Sequence, residues 1–413
     1  MVAAGEGSQV QAGGPRAPAT DLIESLRAEL AALAEARTLK HEVPLAGPQG
    51  ARVGIAGRAE PVIMLTSNNY LGLAADPRVV EAAIDGLRRF GNGMASVRFI
   101  CGTQTLHREL ETTIAAFFET DDAILYTSCW NANEALFATV LGEGDAVFSD
   151  ELNHASIIDG IRLCKASRYR YRHNDVADLE RQLAEDRSRH RIVITDGVFS
   201  MEGEIAPLVE LRDLCRREGA LLAVDDSHAT GVLGRRGRGT AEELGIHGEV
   251  DIVTGTLGKA LGGAAGGFIT GPQPLVDVLR QRSRPYLFSN SLPPPITASA
   301  LRAFQIVDED PALLARLRNN TDYLRGRLAE LGFEVRPGVH PVIPLIVGET
   351  ALAIQMSREL LDEGVYVSGF GYPVVPQGDA RLRVQVSAAL SRDDLDSALE
   401  AFGRVGRRHG LVA

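Results

Sequence analysis

Lysine is nearly missing from this chain. Of 43 basic residues only Lys40, Lys165 and Lys259 are lysines; the other 40 are arginines. Where a plain positive charge serves, the chain writes Arg, so each retained Lys is a candidate for chemistry that needs an amine. Arg stays protonated and cannot condense with a carbonyl, whereas a desolvated Lys can lose its proton and attack one. Other scarcities exclude whole classes. No apolar run approaches the roughly 18 residues of a membrane span, so no membrane segment is expected. The start of the chain has no basic segment followed by an apolar one, so no secretory signal is expected either. The four cysteines (Cys101, Cys129, Cys164, Cys215) contain no C-x-x-C pair and suggest neither a zinc site nor a disulfide frame. All this fits a reducing, cytoplasmic setting. The nine histidines do not group at metal-ligand spacings, so no metal is expected. A net charge of −11 argues against a nucleic-acid surface, which needs a basic face. Glycine fingerprints are missing too. Gly91-Asn92-Gly93 is too short for a dinucleotide loop, and the Gly258–Gly267 cluster lacks the Lys-Ser or Lys-Thr of a phosphate loop.

What is there is an ordinary globular composition, 45% hydrophobic and 23% charged over 413 residues. Residues 1–20 are small and polar and read as a disordered tail. Leu22, Leu26, Leu30 and Leu33 then recur at helical spacing, predicting a helix over 21–37 with Asp21 and Glu24 as a capping box. From there the chain alternates apolar runs with amphipathic stretches. Strands are predicted at 123–127, 146–149, 192–195, 221–224, 252–254 and 267–270, with helices at 133–141, 157–164, 177–183 and 208–217. Strands separated by helices imply parallel crossovers, hence an α/β sheet covered on both faces. Gly266-Gly267 suggests a reversal and one antiparallel strand. Beyond about residue 300 strict alternation ends, which points to a smaller α+β domain. The organisation expected is a tail (1–20), a helix and joining segment (21–66), a large domain (67–300) and a C-terminal small domain (301–413).

Polar residues cluster where these strands end. Asp225-Asp226-Ser227-His228 follows the strand at 220–224, at the carboxyl edge where α/β sheets bind ligands; either Asp could instead cap the next turn. Lys259 follows Thr254-Gly255-Thr256-Leu257-Gly258. Ser128-Cys129-Trp130 begins a helix and suits an anion, or is an ordinary cap. His154 and Ser200 each follow a further strand; a lone His there is often structural. In 381–387, alternation puts Arg381, Arg383, Gln385 and Ser387 on one face, either solvated or gripping a carboxylate through Arg383.

Together these segments resemble the fold-type I pyridoxal phosphate (PLP) enzymes, and within them the α-oxoamine synthases. The resemblance is carried by Ser67-Asn68-Asn69-Tyr70-Leu71-Gly72-Leu73, by Asp225-Asp226-Ser227-His228 and by the Thr254–Lys259 run, and it extends over the chain after about residue 22. Three further stretches, Gly93–Thr103, Leu152–Gly160 and Arg282–Ser291, are similar to members that act on glycine. The resemblance implies a mostly parallel seven-stranded-type sheet in a large domain, a smaller α+β domain, and PLP as cofactor. It implies interconversion of glycine and acetyl-CoA with 2-amino-3-oxobutyrate and CoA, in threonine degradation, by a homodimer with shared active sites. By the same resemblance Lys259 holds PLP as a Schiff base and Asp225 pairs with the ring nitrogen. His228 reaches the ring hydroxyl, and His154 stacks on the ring. The phosphate is taken by Cys129, Trp130 and Thr256, with Ser289 and Asn290 arriving from a second copy. Asn68, Ser200 and Arg383 hold the glycine carboxylate, and Ser200 also borders the cofactor. Another α-oxoamine synthase, such as 8-amino-7-oxononanoate synthase, is the nearest alternative. A nicotinamide-dependent oxidoreductase is disfavoured by the missing glycine fingerprint.

Overall fold

The structure is a computed structural model that describes residues 19–36, 38–39 and 41–413. The predicted tail therefore lies outside the described residues as far as residue 18, and so does Lys40. The described residues up to Val43 belong to one compact unit and Pro44–Ala413 form another. In the first, a helix runs Ala19–Glu35. It starts two residues earlier than the leucine spacing indicates, so Asp21 sits in the first turn and does not cap the helix.

The second unit is built on a seven-stranded sheet. Its strands are β1 (Asp122–Tyr126), β2 (Ala146–Asp150), β3 (Ser167–Tyr171), β4 (Arg191–Asp196), β5 (Leu221–Asp225), β6 (Ile252–Thr256) and β7 (Gly267–Gly271). Their order across the sheet is β1-β7-β6-β5-β4-β2-β3. The pairs from β6 through β5, β4 and β2 to β3 are parallel, and β7 runs antiparallel to both β6 and β1. The six predicted strands are all present, including the reversed one. The seventh, β3, escapes an apolar pattern because Ser167-Arg168-Tyr169-Arg170 is exposed at the sheet edge and only Tyr171 is buried.

Period-two alternation feeds two cores. Leu125, Phe148, Val193, Val224, Val253 and Phe268 face one side. Ile124, Val147, Ile194, Ala223, Ile252 and Ile269 face the other, against the helices Cys129–Val140, Ala155–Leu163 and Gln273–Arg282. A third core lies C-terminal. It surrounds an antiparallel sheet of β8 (Val342–Gly348), β9 (Ser368–Phe370) and β10 (Ala380–Gln385), ordered β8-β10-β9. Ile63 and Leu65, from the segment before the large sheet, are built into this core. The helix Pro311–Glu330 belongs to two cores at once: Leu313, Leu314 and Leu317 pack into the first, Leu324 and Leu328 into the C-terminal one. No helix among the described residues is long and apolar enough to cross a membrane.

Candidate active site

The carboxyl ends of β4, β5 and β6 meet at one place. Asp196 and Asp225 are in register as the last residues of β4 and β5, and β6 leads through Thr256 to Lys259. A cavity of about 230 Å³ opens there, lined among others by Cys129, Trp130, His154, Ser200, His228 and Lys259.

Asp225 forms the cavity floor and is buried. Its Oδ2 accepts from Asn133 Nδ2 at 2.6 Å, and its Oδ1 accepts from the Ser227 backbone N–H at 3.0 Å. Asn133 Nδ2 also donates to Ser156 Oγ at 2.9 Å, and Ser156 Oγ lies 2.7 Å from His154 Nδ1. The Ser156 backbone N–H donates to that same Nδ1, so His154 caps its own helix and carries its proton on Nε2. Burial holds His154 below its ordinary 6.5, against the pull of Asp225. The Trp130 ring meets it edge-on, 6.1 Å away. The neighbouring Asp226 points elsewhere. It is buried beneath Thr240, whose Oγ1 and N–H both donate to it, and burial raises its pKa to about 6. Of the two carboxylates, Asp226 is the one that ties down the following loop.

Lys259 is mostly enclosed, and burial pushes its amine below the ordinary 10.5 although Asp225 pulls the other way. A depressed amine is what a nucleophile and base at neutral pH requires. Burial, with the nearby Lys259 charge, holds His228 well below its ordinary value. Its Nδ1 is 2.8 Å from Tyr70 Oη. Ser128 caps the helix Cys129–Val140 by accepting from Asn131 N–H. The first-turn N–H groups have no partner within the helix and gather positive potential at the cavity edge. Gly267 allows this closeness, since a Cβ there would lie 2.3 Å from Cys129 N.

A hairpin, Val198–Phe199 paired with Glu204–Ile205, borders the cavity through Val198 and Ser200, and β10 packs against it through Arg381 and Arg383, which donate to the Met201 and Ser200 carbonyls. Alternation along β10 is as predicted, but its polar face is covered, not solvated. Arg381 is 1% exposed and ion-paired with Glu202 and Asp379. Arg383 donates to the Ser200 carbonyl at 3.4 Å and lies over the Phe370 ring, while its buried Nε has no partner. The Gln385 side-chain amide bonds Asn68 Oδ1 at 2.7 Å. Asn68, through Gln385, and Ser200, through Arg383, are thus both tied to β10, and of the three predicted residues Ser200 lines the Lys259 cavity.

A profile of the family described as aminotransferase class I and II matches residues 60–402. The chain belongs to that family. Within it, the chain is 50% identical to 2-amino-3-ketobutyrate coenzyme A ligase of Mus musculus over 388 residues, 94% of this chain and 93% of that protein. It is 46% identical to 8-amino-7-oxononanoate synthase of Symbiobacterium thermophilum, over 95% of this chain and the whole of that protein. Among solved structures, a serine palmitoyltransferase from S. paucimobilis with bound PLP–myriocin aldimine superposes with a TM-score of 0.89 at 30% identity, covering 96% of this chain and 100% of that one.

The residues of this aminotransferase-family chain fit PLP. A buried carboxylate suits a pyridinium, an amine of lowered basicity suits an aldehyde, and a helix start suits a phosphate. Four predicted residues do not line the cavity; Asn68 and Arg383 stand behind its Ser200 side. Ser289 and Asn290 line a different recess, beside Tyr126, Thr127 and Tyr286, not the Lys259 cavity of their own chain. Reading strand-end motifs missed Asn133, Ser156, Asp196 and Tyr70 as site residues. Asn133 was reachable: it lies four residues after Cys129, one helical turn deeper on the same face.

Proposed function

We propose that this protein is a PLP-dependent acyltransferase that interconverts glycine and acetyl-CoA with 2-amino-3-oxobutyrate and CoA, serving threonine breakdown. The observation that carries the reading is one cavity lined both by Asp225, fixed by Asn133 and Ser227, and by a Lys259 of lowered basicity.

PLP, when bound, supplies an aldehyde and a ring that can absorb the electron pair of an amino-acid Cα. The chain's own groups do the rest. Lys259 Nζ anchors the cofactor covalently at rest and, once freed, takes the proton from glycine Cα. Asp225 holds a proton on the ring nitrogen, and its amide donors keep that carboxylate in place. His154 would cover a face of the bound ring, and His228, steadied by Tyr70, would reach its hydroxyl. Cys129 and Trp130 N–H groups with Thr256 receive the phosphate. Arg383, Asn68 and Ser200 grip the glycine carboxylate, so that the Cα–H bond faces Lys259. The acetyl thioester then accepts the new bond and CoA departs.

A homodimer belongs to this reading. Ser289 and Asn290 face away from their own cavity, and Phe99, Ile100 and Phe288 nearby in the motif stretches are 63–74% exposed apolar side chains. A second copy would cover them and receive the two polar residues at its phosphate. A cytoplasmic location and the division into 67–300 and 301–413, with 21–66 joining them, are part of the same proposal.

The nearest alternative, an 8-amino-7-oxononanoate synthase, is favoured by the 46% identity noted above. Release of CoA from acetyl-CoA, succinyl-CoA, palmitoyl-CoA and pimeloyl thioesters, each with glycine or alanine, separates the two. We expect acetyl-CoA with glycine to lead. A preference for pimeloyl thioester with alanine would overturn the assignment.

A further inference from the structure

We propose that His340 is a positioning residue for the cofactor pocket: it grips the backbone of His228 and so fixes how the His228 ring meets the cofactor. The proposal rests on the PLP reading above.

His340 lies two residues before β8 and is fully buried. Burial lowers its pKa to about 4, so at neutral pH the ring carries a single proton. Its Nδ1 accepts from the Val342 backbone N–H at 3.1 Å, which leaves the proton on Nε2. That Nε2 donates to the His228 carbonyl at 2.9 Å. Both ring nitrogens are thus used: the Nδ1 bond is local and fixes the ring on β8, and the Nε2 bond reaches across to the large sheet. His228 follows β5 of the large sheet, whereas His340 leads into the C-terminal sheet. The Tyr70 ring packs edge-on against His340 at 5.6 Å, and Tyr70 Oη holds His228 Nδ1. His228 is therefore fixed at two points, its ring by Tyr70 and its backbone by His340.

The register of the C-terminal sheet gives this contact its meaning. In the β8–β10 ladder Val342 faces Gln385 and Pro344 faces Arg383. One rigid ladder thus carries both Arg383, for the amino-acid carboxylate, and the grip on His228, for the cofactor. An apolar residue would fill the space without the cost of burying two ring nitrogens. The imidazole is useful because it sets a direction.

The test uses two substitutions that each keep one bond. His340→Asn can still accept from Val342 N–H but is too short to reach His228. His340→Gln carries a donor near the Nε2 position. Affinity for PLP is read by absorbance titration of the apoprotein, with melting temperature followed in parallel. We expect His340→Asn to lose about tenfold in PLP affinity, the size of one buried hydrogen bond, and His340→Gln to recover most of it. In a His228→Asn background His340→Asn should cost nothing further, because its effect runs through His228. If His340→Asn does not fold, His340→Leu takes its place in both backgrounds. No loss in the Asn variant, equal losses in Asn and Gln, or an unchanged loss in the His228→Asn background each overturn the proposal. Failure of the PLP reading itself looks different: the wild-type protein would take up no PLP.

Discussion

The sheet ends that line the site and β10 behind them treat charge differently. At the sheet ends, Asp225 is pinned by Asn133 and Ser227 and opposed by Lys259, so the wall is prepared for one cationic ring that stays. On β10, two arginines share a face in unequal company. Arg381 is saturated by Glu202, Asp379 and the Met201 carbonyl. Arg383, two residues on, has no ion pair among the described residues and keeps a buried Nε without an acceptor. A saturated arginine holds structure, and an unsaturated one holds capacity for a carboxylate that comes and goes. The two arginines thus differ in hydrogen-bond completeness, which is the difference the proposed carboxylate role of Arg383 draws on.

The largest effect should come from Lys259→Arg, which keeps the charge and removes the chemistry. Turnover of glycine with acetyl-CoA should fall by at least about 10⁴-fold, and borohydride should no longer fix PLP to the protein. Wild-type turnover in this variant would sink the role of the sheet-end wall. Asp225→Asn comes next, with a loss of about 10³-fold in kcat. Its melt should fall only modestly, because the amide oxygen keeps one of the two donors that the carboxylate accepts from, Asn133 on Oδ2 and Ser227 on Oδ1, and leaves the other without an acceptor. Near-normal kinetics would mean that the ring nitrogen needs no carboxylate.

The two arginines give the sharpest contrast. Arg383→Lys should raise KM for glycine about 10- to 100-fold with little change in melting temperature, since a lysine cannot grip a carboxylate with two parallel bonds. Arg381→Lys should do the reverse, leaving KM in place and lowering stability by about 3 kcal/mol in urea melts. Equal KM shifts in both would erase the distinction between them. The smallest effect concerns pH. His340 titrates near 4 when folded, against about 6.5 when unfolded. Between those values the unfolded chain binds the extra proton. The stabilisation is therefore complete above about pH 6.5 and is lost as pH falls toward 4, at most about 3 kcal/mol. Urea melts at pH 7.5 and 5 should show the wild type losing its advantage over His340→Gln; a constant gap would show that His340 is not held neutral.

Much of this was legible in the residues. Apolar runs located the large-sheet strands that are buried on both faces, and glycines marked the one that reverses; buried strands of two or three residues, Val62–Met64 and Val198–Phe199, are too short to show a period and were missed. Strand β3 was hidden because an edge strand has no buried face to enforce a pattern. Alternation likewise placed Arg381 and Arg383 on one face of β10, yet could not say that another segment covers that face. Asn133 and His340 escaped notice for a related reason. Each acts through an atom brought near by the fold, 92 residues away for Asn133 and 112 for His340; helical spacing from Cys129 gives the face of Asn133, but no local motif names either partner.

The helix Pro311–Glu330 has a consequence beyond the site. Its first half is embedded in the core beneath the large sheet and its second half in the C-terminal core. At about 1.5 Å per residue it is a rod of roughly 30 Å shared by both. Melting either core strips the helix of half its packing, and a half-exposed helix of this length is marginal in water. The two cores should therefore lose structure in one cooperative event. A cut placed in the middle of that helix should leave neither piece able to fold alone.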